Sequence, residues 1–436
     1  MKIKTVLGWI VLLSLSFIPI VLFFLLGPGT SEMHDYASTT HSLGEILGLV
    51  GMTMFALTFI LSTRISWIED VFGGLDKVYI VHGILGGTAL IFVLFHPIFL
   101  VLKFIPEQIS QAAIYLLPSS TWSVNFGIIA LLGMILLIFI TLFSKMKYHR
   151  WKFTHEFLGL MFFFAVLHVF TVRGTASQDN IFDGYYFYAF NVSFIGLFGF
   201  CYSLFIKNRL FKNAVYRISS IAKNKDSFII EMTPEHKPIM YRSGQFIFVR
   251  FYNEKLSRES HPFSIASKSN NFTLRIVVRK LGDFTENLGF LKMGDKVSVE
   301  GPYGRFNYKK SPGKNQVWIA GGIGIVPFLG MAEDLENDLE LRGSVKLFYS
   351  VKEDSDLVGN NLLSYIASKT SKFKYVPWNS GKQGRLTADI VYDSGNAAGV
   401  EFFLCGPPGF KEGIINGLLE KGIRKDRIHE EAFDFR

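Results

Sequence analysis

Six long apolar stretches fill the first half of the chain and constrain it more than any other feature. A helix that crosses a bilayer needs ~20 predominantly apolar residues at ~1.5 Å rise each. The stretches at 5–26, 45–62, 78–102, 123–143, 153–172 and 185–206 meet that requirement. Of the 436 residues 49% are hydrophobic, yet the net charge is +9. The first 206 residues carry 10 basic and 10 acidic side chains, against 35 and 26 in the remainder. The whole basic excess therefore lies in the second half, and the composition shift near residue 206 marks a domain boundary. Such a chain is neither disordered nor collagen-like. Its two cysteines, Cys201 and Cys405, exclude a disulfide framework, an iron–sulfur cluster, a Cys-rich zinc site and covalent c-type haem.

The first stretch follows Lys2 and Lys4 and has no good small-residue processing site before Gly27-Pro28, so it is expected to stay as a helix rather than be cleaved. Basic residues near helix ends are retained on the cytoplasmic side. Lys145, Lys147, Arg150 and Lys152 crowd one connection, and Lys207, Arg209 and Lys212 follow the sixth stretch. The connection at 27–44 has no Lys or Arg, and those at 103–122 and 173–184 have one each. This alternation predicts an integral cell membrane protein with six spans and cytoplasmic N- and C-termini, its basic second half lying beside an anionic lipid surface.

Four of the ten histidines fall inside these stretches, His82 and His96 in the third and His155 and His168 in the fifth. Ionisable residues in a membrane are expensive and mark functional sites. Fourteen helical residues return to within ~40° of the starting face and advance ~21 Å, so His82 and His96 face one neighbour at two depths. With both spans running outward, His82 pairs with His155 and His96 with His168. Each pair offers two axial imidazoles to a haem iron, which closes both axial positions and favours electron transfer. A lone histidine is more often a polar contact between helices, whereas four at these spacings favour two stacked haems. The 13-residue separation leaves His155 and His168 ~140° apart on an ideal helix, so the fifth span is expected to kink, bulge or tilt. Pro97 predicts a kink in the third. Gly83, Gly86 and Gly87 leave room for a porphyrin face or for close helix packing.

From Phe211 the pattern changes to short alternating strands, near 215–218, 228–231, 246–250, 272–278 and 296–300. Five or six such strands in under ~100 residues predict a small antiparallel β-barrel over 207–313. From 314 to 436 strands, glycine turns and helices alternate, predicting a parallel α/β domain. Its first strand runs into Gly321-Gly322-Ile323-Gly324, Pro327 and a helix, which lets backbone N–H groups approach a pyrophosphate. After the next strand, Ser350 and Lys352 supply a hydroxyl and a cation for an adenosine 2′-phosphate, or simply face solvent. A third strand ends in Cys405-Gly406-Pro407-Pro408-Gly409, at the strand ends where such sheets bind ligands.

His261-Pro262-Phe263-Ser264, Arg279, Gly282-Asp283-Phe284-Thr285, Gly301-Pro302-Tyr303-Gly304, Gly321-Gly322-Ile323-Gly324 and Cys405-Gly406-Pro407, in that order, resemble the ferredoxin–NADP reductase-like module. Preceded by six spans with paired histidines, the chain resembles the NADPH oxidase and ferric reductase transmembrane family, most of all its bacterial NADPH oxidase members. The resemblance covers nearly everything after residue ~40 and rests on the order of the motifs. It implies a six-span haem domain over 1–206, an FAD-binding β-barrel over 207–313 and an NADPH-binding α/β domain over 314–436. It implies that His261, Pro262, Phe263 and Ser264 line the flavin, with Ser264 near N5, and that Arg279, Gly282 and Thr285 meet the FAD pyrophosphate. Gly321, Gly322, Gly324 and Pro327 would bind the nicotinamide nucleotide, with Cys405, Gly406 and Pro407 flanking the nicotinamide. Phe433 looks like the family's flavin-stacking aromatic.

The implied activity is electron transfer from cytoplasmic NADPH, or NADH, through FAD and two b-type haems to an acceptor outside, most readily oxygen giving superoxide. The chain departs from mammalian-type oxidases near the second histidine pair. Leu100 stands four residues after His96, and the outer end of the second span offers His41 and Glu45 rather than an arginine. A reductase of ferric chelates is therefore the alternative, and a haem-free membrane transporter with a nucleotide-binding regulatory domain is the reading from another class. No calcium loop or Pro-rich docking segment is present, so no obligatory protein partner is expected, and nucleotides and lipid explain the basic excess without nucleic acid.

Overall fold

The computed structural model describes residues 3–25, 33–105, 108–176, 184–206, 214–311, 313–336, 338, 340–392 and 399–431. The chain divides into two compact units, one of Ile3–Phe72 with Lys77–Phe211 and one of Lys212–Arg436 with Met1–Lys2 and Gly73–Asp76.

The first unit is helical: α1 (Ile3–Leu25), α2 (Tyr36–Leu61), α3 (Ser66–Phe72), α4 (Leu75–Leu102), α5 (Ile109–Leu116), α6 (Trp122–Phe143), α7 (Tyr148–Glu156), α8 (Leu158–Ala176) and α9 (Gly184–Cys201). Among the described residues six helices are long and apolar enough to cross a membrane, with α7 and α8 together forming the fifth. The chain is an integral membrane protein. α2 begins at Tyr36 rather than near residue 45, because Asp35 accepts from the Ser38 backbone N–H at 2.8 Å and donates its own N–H to Ser38 Oγ at 3.2 Å. That capping box starts the helix through a polar turn that hydropathy does not register. Gly44, Gly48 and Gly51 lie on one face of α2, where Leu100, His96 and Val93 of α4 pack against them.

The expected irregularity of the fifth span is a break. Phe157 donates its N–H toward the carbonyls of both Thr154 and His155, tightening the turn between α7 and α8. α4, by contrast, continues through Pro97 to Leu102. α9 ends in a π-helical turn, Tyr202–Ile206.

The second unit begins with an antiparallel sheet of β1 (Ala214–Asn224), β2 (Ser227–Pro234), β3 (Phe246–Tyr252), β4 (His261–Ser264), β5 (Leu274–Arg279) and β6 (Lys296–Tyr303), ordered β4-β3-β6-β1-β2-β5. Its two edge strands meet again through an antiparallel bridge between Ile265 and Ile276, which closes the sheet. Alternating residues such as Tyr216, Ile218, Ile230, Val249 and Ile276 fill the interior. A short helix α10 (Asp283–Glu286) follows β5.

A parallel sheet of β7 (Gln316–Gly321), β8 (Val345–Val351), β9 (Phe373–Asn379), β10 (Glu401–Cys405) and β11 (Ile428–Glu430) follows, ordered β11-β10-β7-β8-β9. Helices α11 (Val326–Leu335), α12 (Asn360–Lys369) and α13 (Pro408–Glu420) accompany it. β7 is buried along its whole length, as a central strand covered on both faces must be. The strand order reverses between β7 and β10, so the crevice for a ligand lies beyond Gly321 and Cys405.

Candidate functional site

α4 carries His82 and His96, α7 carries His155 and α8 carries His168. The His82 and His155 rings face each other with centroids 6.0 Å apart, and the His96 and His168 rings at 6.1 Å. Two imidazoles ligating one metal from opposite sides put their centroids roughly 6 Å apart, because each metal–nitrogen bond is ~2 Å. Three of the four rings use Nδ1 to donate to a backbone carbonyl: His82 to Thr58 at 3.0 Å, His96 to Gly44 at 2.7 Å and His168 to Ser123 at 2.7 Å. His155 Nδ1 faces Thr141 Oγ1 at 3.3 Å. A donor bond at Nδ1 fixes the tautomer whose Nε2 lone pair is free for a metal. The residues therefore fit two bis-imidazole haem sites. Beside His82, a Cβ on Gly83 or Gly87 would meet nothing within 4 Å.

In the antiparallel sheet, β4 presents the His261–Ser264 segment. Ser264 is buried and its hydroxyl has no hydrogen-bond partner among the described residues, as expected of a group whose partner is a ligand. The His261 ring stacks on Phe284 of α10 with centroids 3.7 Å apart, which brings the β4 segment against the Gly282–Thr285 turn. Thr285 Oγ1 accepts the N–H groups of Leu281 at 2.9 Å and Gly282 at 3.1 Å, so this hydroxyl shapes the turn itself. Pro262 and Phe263 are half-buried beside Ser264. Arg279 is exposed at the end of β5, with Nη1 3.9 Å from where a Cβ on Gly322 would stand. A buried hydroxyl with no partner among the described residues and an exposed guanidinium are groups that fit an FAD.

In the parallel sheet the two predicted turns come together. A Cβ on Gly324 would overlap the carbonyl of Cys405, and one on Gly406 would stand 3.2 Å from Gly321 Cα. Gly322 has φ +54, and Pro327 sits in the first turn of α11. Pro407 stands at the N-cap of α13. Burial pushes the Cys405 thiol well above its ordinary value and keeps it protonated. Ser350 is buried at the end of β8 and Lys352 is exposed just beyond it. The next residues are acidic but paired, Glu353 with Lys225 at 3.5 Å and Asp354 with Lys382 at 2.7 Å. Phe433 lies outside the described residues.

The helical unit matches the family described as ferric reductase like transmembrane component over residues 47–166. An FAD-binding domain matches over 212–307 and an oxidoreductase NAD-binding domain over 318–415. The chain is a ferric reductase-type transmembrane component joined to FAD- and NAD-binding domains. The ferric reductase match takes in His82, His96 and His155, and His168 follows two residues beyond it. The chain is 28% identical over 221 residues to the 2-halobenzoate 1,2-dioxygenase electron transfer component of Burkholderia cepacia, covering 47% of this chain and 62% of that protein. It is 30% identical over 213 residues to the phenol hydroxylase P5 protein of Acinetobacter pittii (strain PHEA-2), covering 45% and 59%. The chain thus spans about three-fifths of the length of these curated relatives. Among solved structures, the Amycolatopsis cytochrome P450 reductase GcoB aligns at 24% identity with a TM-score of 0.45, covering 51% of this chain and 70% of that one.

Several residues of this ferric reductase-type chain escape a reading by motif. Gly48 and Gly127 seat the His96 and His168 rings, with a Cβ on either reaching Nδ1 at 2.6 and 2.9 Å. The only sequence signal is a small residue at helical spacing, which also marks ordinary packing. Glu431 is 3% exposed, with neither carboxyl oxygen hydrogen-bonded among the described residues. Burial favours its neutral form, and Lys411 Nζ donates to its main-chain carbonyl at 2.8 Å. Nothing in its local sequence marks it as buried.

Proposed function

We propose that the chain carries electrons from cytoplasmic NADPH across the membrane to an external acceptor, oxygen, giving superoxide. The two facing histidine pairs, at 6.0 and 6.1 Å with Nε2 left for a metal, carry this reading. A bound FAD would supply the change from two-electron hydride chemistry to the one-electron chemistry of haem. The protein supplies binding and alignment. Ser264, buried and unpartnered, offers its hydroxyl to the flavin, and Cys405, kept as a neutral thiol, flanks the nicotinamide. Gly321, Gly322, Gly324 and Gly406 leave the backbone open to the nucleotide. Ser350 and Lys352 favour NADPH, and the acidic Glu353 and Asp354 beside them make NADH the alternative.

His82 and His155 hold the haem nearer the cytoplasm, and His96 and His168 the outer one. Two histidines to each iron would leave no open coordination position, so an acceptor would be met by the residues around the His96–His168 pair rather than by the metal. A reductase of ferric chelates is the second reading, favoured by Lys103, whose Nζ stands 3.4 Å from His41 Nδ1 on the helix that holds His96 through Gly44. A cation there suits an anionic chelate. A reduced-minus-oxidised spectrum of the purified protein with NADPH, followed by dismutase-sensitive cytochrome c reduction, tests the proposal. A haem b band with a dismutase-sensitive signal supports it, and no band sinks it. A band without that signal moves the acceptor to ferric chelates.

A further inference from the structure

His155 is held differently from the other three histidines. They donate to main-chain carbonyls that helices keep in place, at 2.7 to 3.0 Å. His155 meets a side-chain hydroxyl, Thr141 Oγ1, at 3.3 Å. That hydroxyl gives its single proton to the Leu137 carbonyl at 2.8 Å, so it can only accept from the imidazole N–H. One long bond to a neutral hydroxyl is weak restraint on a ring free to turn about its Cβ–Cγ bond. The backbone is also less fixed here, since His155 lies two residues before the break at Phe157.

Trp151 supplies what is missing. It stands four residues before His155 on α7, so the two side chains share a face. Its indole stacks on the imidazole with centroids 5.3 Å apart and planes 13° from parallel. The indole N–H donates to the Thr141 carbonyl at 3.1 Å. Thr141 of α6 is therefore an anchor for both rings, its side chain for His155 and its main chain for Trp151. Tyr148 stacks on Trp151 in turn, at 5.7 Å and 26°.

We propose that Trp151 and Thr141 form a clamp that orients the His155 imidazole toward His82, making Trp151 a positioning residue for the metal ligand of that pair. The proposal rests on the haem reading above. Groups that orient a ligand typically alter metal affinity by ~10–100-fold when removed. The angle of an axial imidazole also shapes the magnetic anisotropy of a low-spin ferric haem, which gives a readout independent of turnover.

The test uses the full-length, haem-loaded chain with Trp151→Leu, Trp151→Phe and Thr141→Val. Haem stoichiometry after exchange into haem-free buffer, low-temperature electron paramagnetic resonance and potentiometric titration are measured for each. In Trp151→Leu, one low-spin signal should shift its largest g value and one haem should be held at least ~10-fold less tightly, the other remaining as in the parent. Trp151→Phe keeps a ring in the stack and should restore most of both properties. Thr141→Val removes the acceptor, makes the imidazole a poorer donor and should raise the midpoint potential of the same haem. Parent-like spectra, potentials and stoichiometry in Trp151→Leu, or equal damage in Trp151→Phe, would overturn the clamp while leaving the haem reading standing. A parent protein with no Soret absorption overturns both.

Discussion

The imidazole of His96 lies directly against Gly48, where a Cβ would stand 2.6 Å from Nδ1. His168 rests on Gly127 in the same way, at 2.9 Å. In each case the accepting carbonyl, Gly44 or Ser123, lies four residues earlier on the same helix. A carbonyl and a bare Cα one turn apart thus make a seat for the ring.

Gly48→Ala and Gly127→Ala should each push a ring off its seat and lower haem content from two to one per chain, read from the pyridine haemochromogen spectrum. Gly413→Ala on α13, where a Cβ meets nothing within 4 Å, is the control and should retain both. Two haems in the Gly48→Ala protein would mean that the seat is not needed.

Replacing His168 with Leu should abolish reduction of the external acceptor while NADPH still bleaches the flavin. Stopped-flow absorbance at the flavin band and at the Soret band separates the two steps. Undiminished external reduction would remove the His96–His168 pair from the path.

Ser264→Ala should slow hydride transfer by ~10²-fold, the cost of losing one positioned donor at a reacting centre. Thermal stability should be nearly unchanged, because this hydroxyl has no partner to lose among the described residues. A large fall in melting temperature with normal hydride transfer would instead make Ser264 a structural residue.

Arg275 of β5 ties the antiparallel sheet to α11, from Nε to Glu231 of β2 at 3.0 Å and from Nη1 to Glu333 of α11 at 2.6 Å. Nearby, Ser269 Oγ donates to Asp334 at 2.5 Å. Arg275→Ala leaves two carboxylates without their partner and should cost about 2 kcal/mol, the usual worth of a hydrogen bond to a charged group. Arg275→Lys should recover only part of this, since an ammonium lacks the fork that reaches both carboxylates. Chemical denaturation followed by Trp fluorescence measures both.

Burial pushes the Glu431 carboxyl well above its ordinary value. The folded state therefore favours the neutral acid. Below about pH 4.5, the ordinary carboxyl value, both states are protonated and the stabilising contribution is complete. As pH rises the unfolded chain ionises first, so the contribution declines until pH passes the raised folded-state value. Glu431→Gln should flatten the fall in melting temperature between pH 5 and 8. An identical pH profile in the variant would show that Glu431 is solvated.

The six membrane stretches were legible because a bilayer demands continuous apolar length, and the irregular fifth span because a 13-residue spacing cannot put His155 and His168 on one face of a straight helix. The start of α2 was hidden because Asp35 and Ser38 act through hydrogen bonds that carry no hydropathy. The turns at Gly321 and Cys405 were legible one by one, as glycines between buried strands and helices. Their apposition required the strand order β10-β7, which brings together segments some 80 residues apart. Nothing in the sequence singles out Trp151, because its anchor, the Thr141 carbonyl, lies on another helix.

What the sequence determined by itself was therefore whatever repeats along one element: apolar length, strand alternation, the spacing of His82 from His96, and the order of the glycine turns. Only the tertiary structure decided which groups those elements deliver to one another, as in the carbonyls of Thr58, Gly44 and Ser123 behind three histidines and the Thr141–Trp151 pair behind the fourth. The physical reason is that a helix sets the face and depth of its own side chains, whereas a ligand's orientation depends on hydrogen bonds and stacking with residues on other helices. Those partners are backbone atoms and bare Cα positions as often as side chains, and neither has a residue type that a sequence can announce.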